Sequence, residues 1–549
     1  MQRRHFLTTL GALSASSLTA CEWGKGVLGR STPPVTVLRT GMQQGHAARD
    51  LAMSTRPLPD PGETIHCDLA ILGSGAAGIT AAWKLAREGY RNFILLDGPV
   101  AGGNTAGEQL GGVPCPTAAH YLPLPSQDSI HVREMLASLG ILRGDPNAVA
   151  PEYDENILVH PLHERLRSGG RWQDELLPHA GTPDQARFLA TIATLREARG
   201  NDGRRVFVSP LALSSADPHW RALDALNFRD WLQREQYTDK HLHWYANYIC
   251  RDEFGTGYTD ISAWAGLHYF ASRDGHAANA EAGSVLTWPD GLNSLAQGLL
   301  RQVPFGNDSS SDTTRPRRLA GSALRVREQG KQVEVLVMQA GPQGAPKFVC
   351  INAKRVICAM PLHIAQHVVE GIRDLGFHSE HLPRQAPWLV ANFLLRRFPD
   401  EKGDVPLAWD NVLRESPALG YVVATHQLIR VAKPERTVFT TYNALAETTP
   451  DRARMWMKQA SDSDVLAAAA QDLLAVYGKA LWPLVEQVHI HLHAHAMASP
   501  TPGFLGNPGL QALRETDGRI RFAHADLSGY SVFEEAGWWG WRGAVRALG

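Results

Sequence analysis

An apolar run, HCDLAIL at residues 66–72, leads directly into the glycine cluster GSGAAG at 73–78. The run reads as a buried parallel strand, Ile79 to Glu88 as a helix, and FILL at 93–96 as a second strand ending at Asp97. Such a strand–helix–strand unit of roughly 30 residues admits few folds, because parallel strands need a helical crossover on one face of their sheet. Glycines at GxGxxG spacing would arise by chance about 0.4 times in a chain this rich in glycine, so their place at a strand-to-helix turn carries the reading. Each has a task there. Gly73 allows the tight turn, Gly75 lets the backbone approach a pyrophosphate, and Gly78 lets helix and strand pack closely. The helix opening at Ala76 and Ala77 offers free N–H groups and partial positive charge to the phosphates. Asp97 is placed to accept hydrogen bonds from adenosine ribose hydroxyls. The motif alone does not separate NAD from FAD.

The residues after Asp97 narrow the choice. Gly102, Gly103, Asn104 and Thr105 resemble the "GG…T" stretch that follows the acidic residue in flavin-dependent amine oxidases, with Asn104 where that family usually has arginine. WPDGLNSLAQGL at 288–299 resembles the family's glycine-containing loop and helix, and RVICAMP at 355–361 its strand ending in an "A-x-P" turn. IRFAHADLSGYSVFEEAGWWGWRGAVRAL at 520–548 resembles its last flavin-binding module. The resemblance implies that Asp526 holds the ribityl hydroxyls, and that the backbone near Gly537 and Trp538 faces the flavin's pyrimidine edge. His524 replaces the usual glycine, and Ala536–Gly537 reverses the usual order. The implied fold class is α/β: a Rossmann-type FAD-binding domain assembled from residues 65–125, 283–365 and 506–549, plus a mixed α+β substrate domain from 126–282 and 366–505.

The same resemblance implies chemistry. FAD accepts hydride from a carbon–hydrogen bond next to an amine nitrogen, and an aromatic cage favours the uncharged amine. Trp538, Trp539 and Tyr530 are the cage candidates, with packing of the last helix an equally open role for Trp539 and Trp541. Many relatives carry a lysine near the flavin; the corresponding strand here, WLVANFLL at 388–395, has Asn392 instead. The electrons would pass to dioxygen or to a periplasmic carrier, and the missing lysine argues against rapid reaction with dioxygen. HIHLHAH at 489–495 sets four histidines on one face of a strand. An ordinary polar strand face is favoured over a metal site, because consecutive same-face residues span too far for one ion to take more than two of them. His495, just before a loop resembling one near the flavin, is the candidate with an active-site role. Two alternatives stay open: a flavin dehydrogenase or desaturase of an apolar substrate, and a catalytically degenerate flavin-binding subunit.

Composition sets the remaining limits. With 549 residues the chain exceeds a single core and predicts two domains. Lys+Arg 54 against Asp+Glu 55 argues against a nucleic-acid partner, which needs concentrated positive charge. Residues 1–21 read as a signal peptide: Arg3 and Arg4 precede an apolar stretch from Phe6 to Ala20, too short to span a bilayer. The paired arginines resemble the twin-arginine export signal, and Leu18–Cys21 a lipobox, which implies periplasmic delivery and a lipid anchor on Cys21. Residues 22–64, rich in Gly, Pro, Ser and Thr, read as a linker. No CxxC or zinc spacing links the other five cysteines.

Overall fold

The computed structural model describes residues 33–549 except 56, 178–180, 307–312, 342–344, 402, 427, 430, 431 and 433. The expected signal peptide and Cys21 lie outside the described residues. Among these residues no helix is long and apolar enough to cross a membrane.

The chain is α/β, with two large sheets. The strand expected from the first motif is Glu63–Leu72, the helix Ala76–Arg87, and the second strand Phe93–Leu96, all four residues of which are buried. They form the centre of a seven-stranded sheet. Arg317–Leu319, Phe93–Leu96, Glu63–Leu72 and Pro346–Cys358 run parallel, and Ile520–Phe522 adds in parallel to the end of Pro346–Cys358. Gln332–Ala340 and Ser322–Gln329 complete the sheet as an antiparallel meander. Residues from both ends of the chain thus share one apolar core. The last helix, Phe533–Leu548, crosses Ala76–Arg87 so closely that a Cβ on Gly540 would lie 2.0 Å from the Ala77 carbonyl oxygen.

The second sheet has eight strands. Its longest strands are the antiparallel neighbours Arg384–Leu395 and Val485–Ser499, with Thr437–Asn443 on the other side of Arg384–Leu395. One face packs on the helix Asp462–Tyr477, and the other faces a set of helices between residues 183 and 271. Among these, Lys240–Phe254 starts on Asp239, whose carboxylate accepts from Leu242 N at 2.6 Å. It stops at Gly255, where φ is 71° and a Cβ would lie 2.4 Å from that of Ala386.

The reading of 22–64 as a linker needs correction from residue 33 on; 22–32 lie outside the described residues. Val35–Leu38 pairs in parallel with Val488–His491 at the edge of the eight-stranded sheet. Met42–Ala52 is a helix whose Ala48 is buried against the other sheet. Arg39 donates to the carbonyls of Met457 and Ala460 at 3.0 and 3.1 Å. An unpaired sheet edge offers a row of backbone partners, so a short polar-rich segment becomes ordered there despite its linker-like composition.

Candidate functional site

A cavity of about 760 Å³ lies between the two sheets, within the range of roughly 300–1,000 Å³ typical of ligand sites. At the glycine loop it is lined by Gly73, Gly75, Ala76, Ala77 and Asp97, and by Gly103, Asn104 and Thr105 of the following turn. A Cβ on Gly75 would meet nothing within 4 Å, so the backbone there borders open space at a helix N-terminus. Gly78 faces the other way: its Cβ would lie 1.8 Å from the Gly73 carbonyl oxygen. Gly102, at φ 84°, turns the chain behind the cavity. Asp97 accepts from Arg318 Nε at 2.8 Å. Asn104 lines the cavity and donates to the Ala496 carbonyl, tying the turn to the second sheet.

Asp526 is buried in the wall of the same cavity. Its carboxylate accepts from Leu362 N at 2.8 Å and Gln385 Nε2 at 3.2 Å, with His524 Nδ1 3.4 Å away. Burial alone would raise its pKa, but the charge and hydrogen bond of His524 hold it well below the usual carboxylate range. A depressed carboxyl stabilises the fold fully above its unfolded value of about 4 and loses that contribution as pH falls through the folded one. Asp526→Asn is therefore expected to cost most stability near neutrality and progressively less below about pH 4. Urea denaturation of both proteins across this range checks it; a gap that does not narrow in acid counts against the ionised assignment.

His495 lines the cavity with its ring stacked on His363, centroids 4.4 Å apart. Burial pushes the His363 pKa down to about 4, so neither a cation nor a proton relay at neutral pH is favoured there.

Four other expected residues lie elsewhere. Ala536 borders the cavity, but Gly537 and Trp538 follow at about 100° steps around the helix. Gly537 consequently faces Met135 and His131, and Trp538 packs on His131 and Trp541, away from the cavity. Tyr530 is buried against Phe254 and His268 and donates to Glu535 Oε1 at 2.9 Å. Asn392 shares the cavity-facing side of its strand with Trp388 and Val390 but sits beyond the cavity's end. There it donates to Glu108 Oε1 at 3.0 Å and to the Pro116 carbonyl at 2.8 Å.

The aromatic wall comes instead from His120, Tyr121, Trp388 and Tyr442. The His120 and Tyr442 rings are 4.4 Å apart, and Trp388 meets Tyr442 at 6.3 Å and 73°. Beside it stand Asp252, Glu253, Arg273 and Glu534. Glu253 and Arg273 pair at 2.6 Å, and Arg273 also donates to the Tyr121 and Tyr269 hydroxyls. Asp252 has no hydrogen-bond partner among the described residues; burial and then Glu253 push its pKa up to about 7. Burial likewise raises Glu534 to about 7.

Residues 71–139 match the family model of an NAD(P)-binding Rossmann-like domain. No curated protein matches the chain. Among solved structures, a cofactor-site variant of putrescine oxidase superposes with TM-score 0.60 at 15% identity, over 88% of this chain and 99% of that one. Cyclohexylamine oxidase from Brevibacterium oxydans gives 0.58 at 17% identity over 88% and 99%. The fold is that of the flavin-dependent amine oxidases. It is not confined to amine chemistry: a CLA-producing fatty acid isomerase from P. acnes matches at 0.56 and 14% identity, over 87% and 97%.

Proposed function

We propose that this protein is an FAD-dependent oxidoreductase that oxidises a carbon–hydrogen bond next to an amine nitrogen. One observation carries the reading: a single cavity joins a glycine loop suited to phosphates to an aromatic wall flanked by half-buried carboxylates, the Asp252 side chain without a hydrogen bond among the described residues and Glu253 paired with Arg273. The residues suit the cofactor. Gly73 to Ala77 would cradle the pyrophosphate, Asp97 the adenosine ribose and Asp526 the ribityl chain, and the open space at Gly75 is where a larger side chain would obstruct. FAD, when bound, supplies the hydride acceptor.

The chain's own groups would do the rest. The rings of Tyr442, Trp388 and His120 exclude water and orient the substrate carbon. Asp252, with a pKa near that of neutral solution, can take the proton from an ammonium so that the amine is uncharged when it reacts. An apolar substrate is served less well, because it would leave Asp252 and Glu534 buried against hydrocarbon. No lysine lines the cavity among the described residues, which supports an acceptor other than dioxygen. With this reading we keep the export expected from residues 1–21, periplasmic location, and a lipid anchor at Cys21.

The test is the absorption spectrum of the purified protein, followed by anaerobic reduction with a panel of primary and secondary amines. Bleaching by amines is expected, and Asp252→Asn should lower kcat/KM about 10²–10⁴-fold while removing one ionisation from its pH profile. Flavin reduced by light but by no amine would point to the degenerate subunit; turnover of apolar compounds alone would point to the desaturase.

A further inference from the structure

Beyond the cavity's end, the row of histidines meets a residue from a distant part of the chain. We propose that Glu108, His489 and His491 form a binding site for one divalent transition cation of the zinc type. The site is separate from the flavin reading and stands or falls independently of it.

The strand pattern explains half of the arrangement. His489 and His491 alternate onto the same face of Val485–Ser499, opposite Asn392 and Val390 of the neighbouring strand. Their spacing supplies two ligands and no more. The third arrives on the hairpin Gly107–Leu110 and Val113–Pro116, which lies across this face. Glu108 Oε2 is 2.9 Å from His489 Nδ1, and Glu108 Oε1 is 2.9 Å from His491 Nε2. All three ligand atoms fall within 4.8 Å of one another. Bonds of about 2.0–2.2 Å from one tetrahedral ion would place its ligands roughly 3.3–3.6 Å apart, so the two Glu108–histidine contacts must open slightly and the two imidazole nitrogens, within 4.8 Å of each other, must settle to that spacing.

The surroundings hold these side chains as ligands are usually held. Asn392 donates to Glu108 Oε1 at 3.0 Å and is itself fixed by Thr440 Oγ1 and the Pro116 carbonyl. Gln487 Nε2 lies 2.8 Å from His489 Nε2, so a metal on Nδ1 requires this amide to turn its oxygen to the ring. An amide's two ends are interchangeable in such a contact. With its oxygen turned to Nε2, the ring proton sits there and the Nδ1 lone pair is free for a metal. His491 similarly carries its proton on Nδ1 when Nε2 ligates, so no proton need be lost. His491 is nearly buried while Glu108 and His489 keep about a fifth of their surface, which leaves a fourth position for water. Two imidazoles and one carboxylate suit zinc, cobalt or nickel rather than magnesium or calcium, which prefer all-oxygen shells. The Cys115 thiol, 4.0 Å from Glu108 Oε1, stands outside the trio.

The ion would join the hairpin that follows the Gly102–Thr105 turn to the strand that continues into the cavity at His493 and His495. It would act as a cross-link between that hairpin and the eight-stranded sheet.

The test uses the full-length protein without a histidine tag, stripped by a chelator and titrated with Zn²⁺ or Co²⁺ alone. One equivalent is expected to bind, with a visible Co²⁺ absorption and a rise in Tm. Glu108→Gln and His491→Ala should each weaken binding at least about 100-fold, and Asn392→Ala about 10-fold. Glu108→Gln preserves shape, so it carries the result if His491→Ala fails to fold, with circular dichroism as the check. Wild-type protein that binds no stoichiometric metal, or variants that bind as it does, would overturn the proposal. Loss of binding on His363→Ala or His495→Ala instead would also overturn it, moving the site into the cavity.

Discussion

Gly75→Phe is expected to give a folded but colourless protein, while Gly78→Val, three residues on, should not fold at all. Gly75 has φ −70°, which any residue adopts, and its added side chain would enter empty space at the helix N-terminus. The backbone therefore pays nothing, and the volume lost is that of the bound phosphates. Gly78 has no such outlet. Its Cβ would sit 1.8 Å from the Gly73 oxygen and 3.5 Å from Ala359 Cβ, so helix and sheet must separate, at a cost of about 3 kcal/mol or more. Flavin content and circular dichroism distinguish the two failures. A Gly75→Phe protein that purifies yellow with full flavin would sink the phosphate-loop assignment.

The second large effect is expected at Arg273. Its guanidinium pairs with Glu253 at 2.6 Å, donates to two tyrosine hydroxyls, and lies 4.0 Å over the Tyr269 ring. Arg273→Met keeps the stem's packing but strands the Glu253 carboxylate, whose side chain is only 13% exposed. Breaking a fully buried pair costs about 3–5 kcal/mol; because the guanidinium still borders the cavity, about 2–4 is expected here. Glu253→Gln in the same chain should recover most of the loss, since the stranded charge is the main penalty. Urea denaturation of the two single variants and the double variant measures the coupling. Additive losses would mean that the pair contributes little.

Much of the fold was legible because its signals are local. The strand, glycine turn, helix and second strand occupy one short stretch, and each glycine's role follows from the turn it must make. Gly73, Gly75, Asp97 and Asp526, expected around a cofactor, line one cavity. The substrate side was not legible, for a geometric reason. His120, Tyr121, Trp388 and Tyr442 come from three distant segments, and nothing in their neighbourhoods marks them as one wall. Trp538 packs on His131 and Trp541 off the cavity, because a position in the sequence says nothing about direction around the helix. Asn392 shares a face with Trp388, but four residues along a strand carry it about 13 Å further, out of the cavity and under Glu108. The histidine row was visible, yet its third ligand stands some 380 positions away.

The segment 35–52 adds something that no single residue does. Its strand is held by the eight-stranded sheet, and its helix lines the cavity through Met42, His46 and Arg49. The opposite wall is made by residues 524–536, close to the other terminus. Segments from distant parts of the sequence must therefore both be in place before the cavity is enclosed, so its closure reports on the docking of the two sheets and not on the strand–glycine–helix unit alone.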